Sequence, residues 1–156
     1  MKKLRIATMV TGHFTTPPPT GVIYAPMDIA IAVSEGLERR GHKVTFFAPE
    51  GSKINVSEVR TCGLKPLRQN GELSILVGPN VDGAERAKIY NLWDQFLLSS
   101  LYQEALEGKF DIVHVHPADR ALPLAYAMRN IPTVYTLHHP IYPWRSEVFR
   151  MFLSPN

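Results

Sequence analysis

Histidine is the side chain best suited to exchange hydrogen bonds and protons near neutral pH, and this sequence distributes its six histidines unevenly. Five of them end or follow short apolar runs typical of buried strands: His13, His114, His116, His138 and His139. His42 instead precedes such a run, which places it at the opposite edge of a sheet. The carboxyl ends of parallel strands meet at one edge, so a histidine-rich site is predicted there.

Three roles are open to these histidines. A metal site made of His116, His138 and His139 would suit zinc, copper or nickel. No carboxylate or cysteine is interleaved at ligand spacing, however, so we predict no metal. A hydrogen-bonded structural role fits His114, which lies before the end of its strand, whereas a contact with a substrate hydroxyl fits His116 at the strand end.

Alternating apolar patterns predict the strands and helices that hold these residues. Runs typical of strands cover residues 4–10, 44–48, 56–61, 73–77, 111–115 and 133–137. Apolar residues at helical spacing cover 26–40, 86–107, 120–128 and 144–153. This alternation predicts an α/β fold in which a mostly parallel sheet carries helices on both faces.

Proline is enriched after the predicted strands. The chain has 13 prolines in 156 residues, against a usual ~5%. Those that follow strands are Pro17, Pro18, Pro19, Pro26, Pro49, Pro79, Pro117, Pro140 and Pro143. They either stiffen the loops of a site or simply end the strands, and the sequence leaves both readings open.

Composition and missing motifs exclude several function classes. A length of 156 residues suits one domain, and a net charge of +3 is too small to predict nucleic-acid binding. One cysteine excludes an internal disulfide framework. The lack of an apolar run of ~18 residues, and of a small-residue cleavage site after the short apolar run at residues 6–10, predicts a cytoplasmic location. The sequence lacks the Gly-x-Gly-x-x-Gly fingerprint after its first strand, a Walker A loop, a Gly-x-Ser-x-Gly elbow and a His-Glu-x-x-His helix.

Three segments carry recognisable turn and strand-end motifs. Residues 38–48 read Glu-Arg-Arg-Gly-His-Lys-Val-Thr-Phe-Phe-Ala, residues 110–116 read Phe-Asp-Ile-Val-His-Val-His, and residues 131–138 read Ile-Pro-Thr-Val-Tyr-Thr-Leu-His. In this order and at this spacing they resemble the retaining glycosyltransferases of family four. The resemblance implies one Rossmann-like half of a GT-B fold.

The resemblance also implies roles for individual residues. In such enzymes the histidine equivalent to His116 lines the active site near the transferred sugar, and His138 would face the same cleft. We add His13 and His139 as substrate-binding candidates at the same edge. The family's Gly-Gly-x-Glu loop, which approaches the donor diphosphate, falls near Tyr24, but the nearest glycine is Gly21. Both residues are therefore candidates for substrate binding.

Length suggests that this is half of such an enzyme. We expect residues 1–156 to form the amino-terminal, acceptor-side domain, without the second domain that carries the nucleotide-sugar site and a Glu-x7-Glu motif. Glu50 and Glu58 have that spacing, but they follow the second strand of the first domain, so we interpret the match as coincidence. The domain by itself is expected to be inactive.

The activity implied for the whole enzyme is hexosyl transfer from a nucleotide-sugar donor to an acceptor hydroxyl, with retention and without a cofactor. The acceptor is unknown. Two alternatives remain: a non-catalytic binding module, and half of a nucleotide-sugar epimerase. Membrane association through the broadly apolar helix 86–107 is a further alternative, but mixed charges on this helix favour packing in the core.

Overall fold

A computed structural model describes residues 2–153, and a sheet of five parallel strands lies at its centre. The strands are β1 (Arg5–Met9), β2 (Lys43–Phe47), β3 (Glu58–Arg60), β4 (Ile112–Val115) and β5 (Thr133–Tyr135). The helices are α1 (Ala25–Arg39), α2 (Gly71–Ser74), α3 (Gly83–Leu106), α4 (Ala118–Ala127) and α5 (Pro143–Leu153), and a 3-10 turn spans Ile75–Val77. The predicted parallel α/β fold is confirmed.

The order of the strands explains where a ligand would bind. The sheet runs β3-β2-β1-β4-β5, so the chain moves outward from β1 on one side and returns to build the other side. In register, Thr8 of β1 lies between Phe46 of β2 and His114 of β4. The strand order reverses between β1 and β4. At such a reversal a crevice opens at the carboxyl edge of the sheet, and ligands bind there.

Each face of the sheet has its own apolar core. On one face Phe46 packs with Met27 and Ala30 of α1, and on the other Phe47 belongs to the cluster that contains Leu97 and Leu101 of α3. Successive residues of a strand point to opposite faces, so two adjacent phenylalanines serve two cores. The prediction of helices on both faces is therefore correct, and α3 contributes to a core as expected.

The turn from α1 into β2 follows the sequence pattern closely. Gly41 has a φ of +82°, a left-handed conformation that suits glycine just after a helix. The buried His42 then accepts a hydrogen bond at Nδ1 from the backbone N–H of Leu4, over 3.2 Å. His42 thus ties the start of β1 to the start of β2 and has the structural surroundings expected of it.

One predicted strand is wrong. Residues 73–77 form the end of α2 and the 3-10 turn instead. The reason is the side chain of Asn70, whose Oδ1 accepts hydrogen bonds from the backbone N–H groups of Glu72 and Leu73 and so caps a helix. A local cap overrides the preference of an Ile-Leu-Val run for extended structure.

Candidate functional site

A cavity of about 210 Å³ opens at the carboxyl edge of the sheet. We call it the histidine cavity. It is lined by Tyr24, Pro26, His116, Pro117, Ala118, Asp119, Arg120, Thr136, Leu137, His138, His139 and Arg145. The ends of β4 and β5, the first turns of α1 and α4 and the start of α5 thus meet at the crevice that the strand order predicts.

Three histidine rings lie in a row at this cavity, the first pair tilted by 41° and the second pair stacked. The centroids of His114 and His116 are 4.6 Å apart, and those of His116 and His138 are 5.0 Å apart. His116 Nδ1 and His138 Nε2 share a hydrogen bond of 2.8 Å, and His114 Nε2 shares one of 2.7 Å with the hydroxyl of Thr136. His114 is therefore buried and hydrogen-bonded, as its proposed structural role requires.

Burial keeps the three rings neutral. His116 is only 5% exposed, and burial together with the neighbouring His114 and His138 lowers its pKa to about 3. Burial is also the main reason that the pKa values of His114 and His138 are lowered. At neutral pH these side chains are therefore hydrogen-bonding groups, not cations.

The Nε2 nitrogen of His116 can form a hydrogen bond to a ligand. Within residues 2–153, Nε2 of His116 has no hydrogen-bond partner, although it is buried. If His116 Nδ1 donates to His138, Nε2 is an acceptor; if His138 Nε2 donates instead, Nε2 of His116 carries the proton and donates. A buried unpaired nitrogen is costly, so a ligand that hydrogen-bonds to it would be stabilised.

A buried carboxylate supports the site from behind. Asp94 of α3 is fully buried and accepts hydrogen bonds from the Thr11 hydroxyl at 3.1 Å and the Gly12 N–H at 2.7 Å. Its second oxygen accepts from Nη1 of Arg120 in α4. One carboxylate therefore fixes both the loop after β1 and an arginine that lines the histidine cavity.

Gly12 is required where this loop meets α3. A Cβ at Gly12 would lie 3.0 Å from the carbonyl oxygen of Trp93 and 3.0 Å from Cδ2 of Leu64. A backbone atom cannot move aside easily, so glycine is the residue that fits here. The close approach brings the Gly12 N–H into reach of Asp94.

A second arginine enters the cavity from the start of α5. Arg145 is 8% exposed, and its guanidinium donates to the carbonyl oxygen of Pro140 at 3.1 Å and to Oδ2 of Asp119 at 2.6 Å. Its Nε is buried and has no hydrogen-bond partner in the part of the chain that the structure describes. Like Nε2 of His116, this buried nitrogen has hydrogen-bonding capacity that no described residue uses.

The structure brings together four of the six predicted site residues. His116, His138, His139 and Tyr24 line the histidine cavity, and burial raises the pKa of the Tyr24 phenol, so it remains a hydroxyl. Gly21 lies outside the lining, exposed and at a φ of +85°.

His13 lies behind the cavity and not on its lining. Its Nε2 donates to the carbonyl oxygen of Tyr90 at 3.0 Å and lies 3.3 Å from Oδ1 of Asp94. Burial lowers the pKa of His13 to about 4, so this contact is not an ion pair at neutral pH. Its proposed substrate contact remains a prediction.

Sequence reasoning missed the charged residues of the site. Asp119 and Arg120 lie in the first turn of α4, shortly after the end of β4, and that position was a signal for them. Asp94 and Arg145 carry no local signal, because they reach the site from other helices. Among residues 2–153 there is no group of three or more His, Cys, Asp or Glu side chains arranged to hold a metal.

The strand order and the helices on both faces define a Rossmann-like α/β domain with a cavity at its strand switch. Residues 29–155 match the family model described as Glycosyltransferase Family 4, and the chain belongs to that family. No curated protein sequence matches the chain. No helix within residues 2–153 has both the length and the hydropathy that a membrane crossing requires.

Two solved structures match this chain. The glycotransferase of kitacinnamycin shares 15% identity and a TM-score of 0.51 over 96% of this chain and 34% of its own. MurG of Acinetobacter baumannii shares 18% identity and a TM-score of 0.45 over 97% of this chain and 39% of its own. The chain thus spans between a third and two fifths of their lengths. At 15% identity, the likeness to the kitacinnamycin glycotransferase shows that the fold is shared and nothing more.

Proposed function

We propose that this chain is the amino-terminal, acceptor-side domain of a retaining glycosyltransferase. The enzyme would transfer a hexosyl group from a nucleotide-sugar donor to an acceptor hydroxyl in the cytoplasm, and a second domain would hold the donor nucleotide. The observation that carries this proposal is His116, which lines the histidine cavity with a buried, unpartnered Nε2. Membership of Glycosyltransferase Family 4 supports the reaction class.

His116 would act through a hydrogen bond. A general base works best when its pKa lies near the operating pH, and a pKa of about 3 is far below neutral. In this proposal Nε2 binds a hydroxyl of the transferred sugar or of the acceptor. His138 fixes the ring of His116 through the 2.8 Å hydrogen bond and selects which of the two tautomers is present.

The test is the substitution His116→Ala in the full-length protein, after a screen of nucleotide sugars has identified the donor. Loss of a preorganised hydrogen bond in a buried site is expected to lower kcat about 100-fold. Turnover is measured as nucleoside diphosphate release, and NMR of the product shows whether the anomeric configuration is retained. Unchanged turnover would overturn the role of His116.

The control variant is His42→Asn, at the opposite edge of the sheet. The amide oxygen of asparagine can accept the hydrogen bond that the Leu4 N–H gives to His42. Turnover in this variant is expected to stay at the parental level. Interconversion of nucleotide sugars without any acceptor would identify an epimerase instead, and ligand binding without either reaction would identify a binding module.

A further inference from the structure

Arg120 is held at two points by neighbouring side chains of α3. Its Nη1 donates to Oδ2 of Asp94, and its backbone carbonyl oxygen accepts a hydrogen bond of 2.8 Å from Nε2 of Gln95. A guanidinium is a planar, rigid group, so a bond to one of its terminal nitrogens restricts the direction of its other N–H groups. Both the backbone and the side-chain end of this arginine are therefore anchored on α3.

The anchor on Asp94 is itself rigid. Asp94 is fully buried, and its Oδ1 accepts hydrogen bonds from the Thr11 hydroxyl and the Gly12 N–H and lies 3.3 Å from Nε2 of His13. Both carboxylate oxygens thus have donors. The carboxylate cannot turn without leaving several buried polar groups unpaired, so it holds Arg120 in one position.

Stability alone gives no reason for a charged pair at this position. Moving two charges out of water costs about as much free energy as their attraction provides, and a well-packed apolar pair is often at least as stable. Among residues 2–153 the one cation that contacts Asp94 is Arg120, because burial lowers the pKa of His13 to about 4 and keeps it neutral. The effect of the pair on Arg120 is therefore the feature to explain.

Arg120 has donors left for a ligand. Its side chain is 34% exposed and lines the histidine cavity, and within residues 2–153 Nη1 is the only guanidinium nitrogen with a hydrogen-bond acceptor. Asp94 balances its charge, as Asp119 balances that of Arg145. Arg120 can therefore contribute directional hydrogen bonds to the cavity, without a net charge. Such bonds depend on where the guanidinium is held.

We propose that Asp94 is a positioning residue for the histidine cavity. It fixes the guanidinium of Arg120, and Gln95 fixes the backbone of Arg120, so that the remaining N–H groups are preorganised to hydrogen-bond an oxygen of the bound substrate. Asp94 itself touches no substrate, because it is fully buried. This inference rests on the proposed function, since it adds a binding residue and its support to that reaction.

The first test is steady-state kinetics of the full-length protein with the donor that the screen of nucleotide sugars identifies. Asp94→Asn keeps an oxygen for the Gly12 N–H and removes the charge that holds Arg120. We expect kcat/KM to fall about 10–100-fold, mainly through kcat, in a variant that circular dichroism shows to be folded.

The matched control is Asp111→Asn at the opposite edge of the sheet. Asp111 also accepts hydrogen bonds from a backbone N–H and a guanidinium, at 2.8 Å and 3.0 Å, and both belong to Arg5. It lies outside the lining of the histidine cavity. Turnover in this variant should stay at the parental level, and an unchanged kcat/KM in folded Asp94→Asn would overturn the inference.

A double-mutant cycle separates a positioning role from a merely structural one. If Asp94 acts through Arg120, kcat/KM of Asp94→Asn combined with Arg120→Gln is no lower than that of Arg120→Gln alone. Equal losses from Asp94→Asn in both backgrounds would contradict the proposal. If Asp94→Asn does not fold, Gln95→Met takes its place in the same cycle, because methionine has a similar length but no donor for the Arg120 carbonyl oxygen.

An NMR measurement tests the geometry without any reaction. In full-length protein that contains isotope-labelled arginine, a fixed guanidinium gives separate signals for Nη1 and Nη2, whereas a rotating one gives an averaged signal. We expect separate signals for Arg120 in the parental protein and in Asp111→Asn, and an averaged signal in Asp94→Asn. Arg120→Gln assigns the signals.

The NMR result also distinguishes the two proposals. An averaged Arg120 signal in the parental protein, or separate signals in Asp94→Asn, would overturn the role of Asp94 whatever the reaction. Separate signals that Asp94→Asn averages, in a protein that forms no glycoside, would refute the proposed function and leave the fixing of Arg120 by Asp94 established.

Discussion

Two depressions in the described part of the domain differ in how far their buried polar atoms are satisfied. The larger one, about 320 Å³, lies near the amino ends of the strands; we call it the amino-side cleft. It is lined by Arg5, Lys43, Thr45, Ser57, Glu58, Arg60, Glu104, Lys109 and Phe110. Its charges meet in pairs: Arg60 contacts Glu104 at 2.7 Å, and Lys109 contacts Glu107 beside the cleft at 2.9 Å.

The smaller histidine cavity is lined by two side chains whose buried nitrogens make no hydrogen bond to any described residue. His116 Nε2 and Arg145 Nε are buried and unpartnered within residues 2–153, and the neighbouring imidazoles are neutral. Volume therefore does not identify the site in this domain. Oε2 of Glu104 in the amino-side cleft also lacks a hydrogen bond, but it lies 3.4 Å from the charged Nζ of Lys109, whereas the two nitrogens of the histidine cavity have no such partner among the described residues.

The substitution Asp94→Ala at the histidine cavity is expected to cause the largest loss of stability. Asp94→Ala leaves Arg120 without its carboxylate and Gly12 and Thr11 without their acceptor. Loss of one partner of a buried ion pair is expected to lower the free energy of unfolding by about 3–5 kcal/mol. Urea denaturation followed by circular dichroism measures this loss.

The matched control for Asp94 is Asp111→Ala on the amino side. Asp111 pairs with Arg5 at 3.0 Å, but Arg5 is half-exposed and water screens the pair. The stability lost here should be much smaller than at Asp94. Equal losses at both positions would mean that the two sides of the sheet depend on their carboxylates to the same degree.

A second prediction uses two glycines. Gly12→Ala places a Cβ against the backbone of Trp93 and should destabilise the domain by about 1–3 kcal/mol. Gly36→Ala lies inside α1, where the Cβ would come no closer than 3.8 Å to Arg39, and should stabilise by roughly 0.5–1 kcal/mol. Thermal unfolding of both variants checks the opposite signs, and two shifts of the same sign would contradict the close-approach argument.

The third prediction concerns pH. The pKa of His116 falls to about 3 and that of His13 to about 4 in the folded domain, whereas the ordinary value is 6.5. The unfolded chain therefore binds more protons below about pH 6.5, so stability should fall as the pH drops from 6.5 toward 3. Each proton of difference is worth at most about 1.4 kcal/mol per pH unit.

The measurement is urea denaturation at pH 8, 7, 6 and 5. Stability should change little from pH 8 to 7 and decrease from 6 to 5, with a shallower decrease in His116→Gln. The amino side responds in a different window, because Arg5 lowers the pKa of Asp111 from 3.8 to about 2, and its contribution is lost only below about pH 4. Stability that is constant from pH 7 to 5 would contradict the buried, neutral state of these histidines.

Most of the fold was predictable because its signals are local. The apolar runs of β1, β2 and β4 and the glycine after α1 occur where the structure has strands and a turn. Residues 73–77 were predicted wrongly because their conformation depends on the side chain of Asn70, which lies outside the apolar run. A helix cap competes with the strand preference of an apolar run. The spacing of apolar residues alone does not show which of the two prevails.

The histidines of the site were predictable for the same reason, since a strand end is a local feature. Asp94 was not, because it meets Thr11 across 83 residues of sequence, and only the packing of α3 on the sheet brings them together. Arg145 reaches Asp119 across 26 residues in the same way. Of the prolines predicted to follow strands, Pro26 and Pro117 line the cavity, whereas Pro79 follows the 3-10 turn and lies outside the lining.

The smallest effect is expected in the amino-side cleft. Arg60 contacts Glu58 at 2.6 Å, with side chains that are 34% and 45% exposed. A double-mutant cycle with Arg60→Gln and Glu58→Gln should give a coupling of about 0.2–1 kcal/mol, because exposed ion pairs gain little over their hydration. The coupling should shrink in 1 M salt, where charges are screened within about 3 Å. A coupling above about 2 kcal/mol that resists salt would instead show that this cleft, like the histidine cavity, maintains its charges away from water.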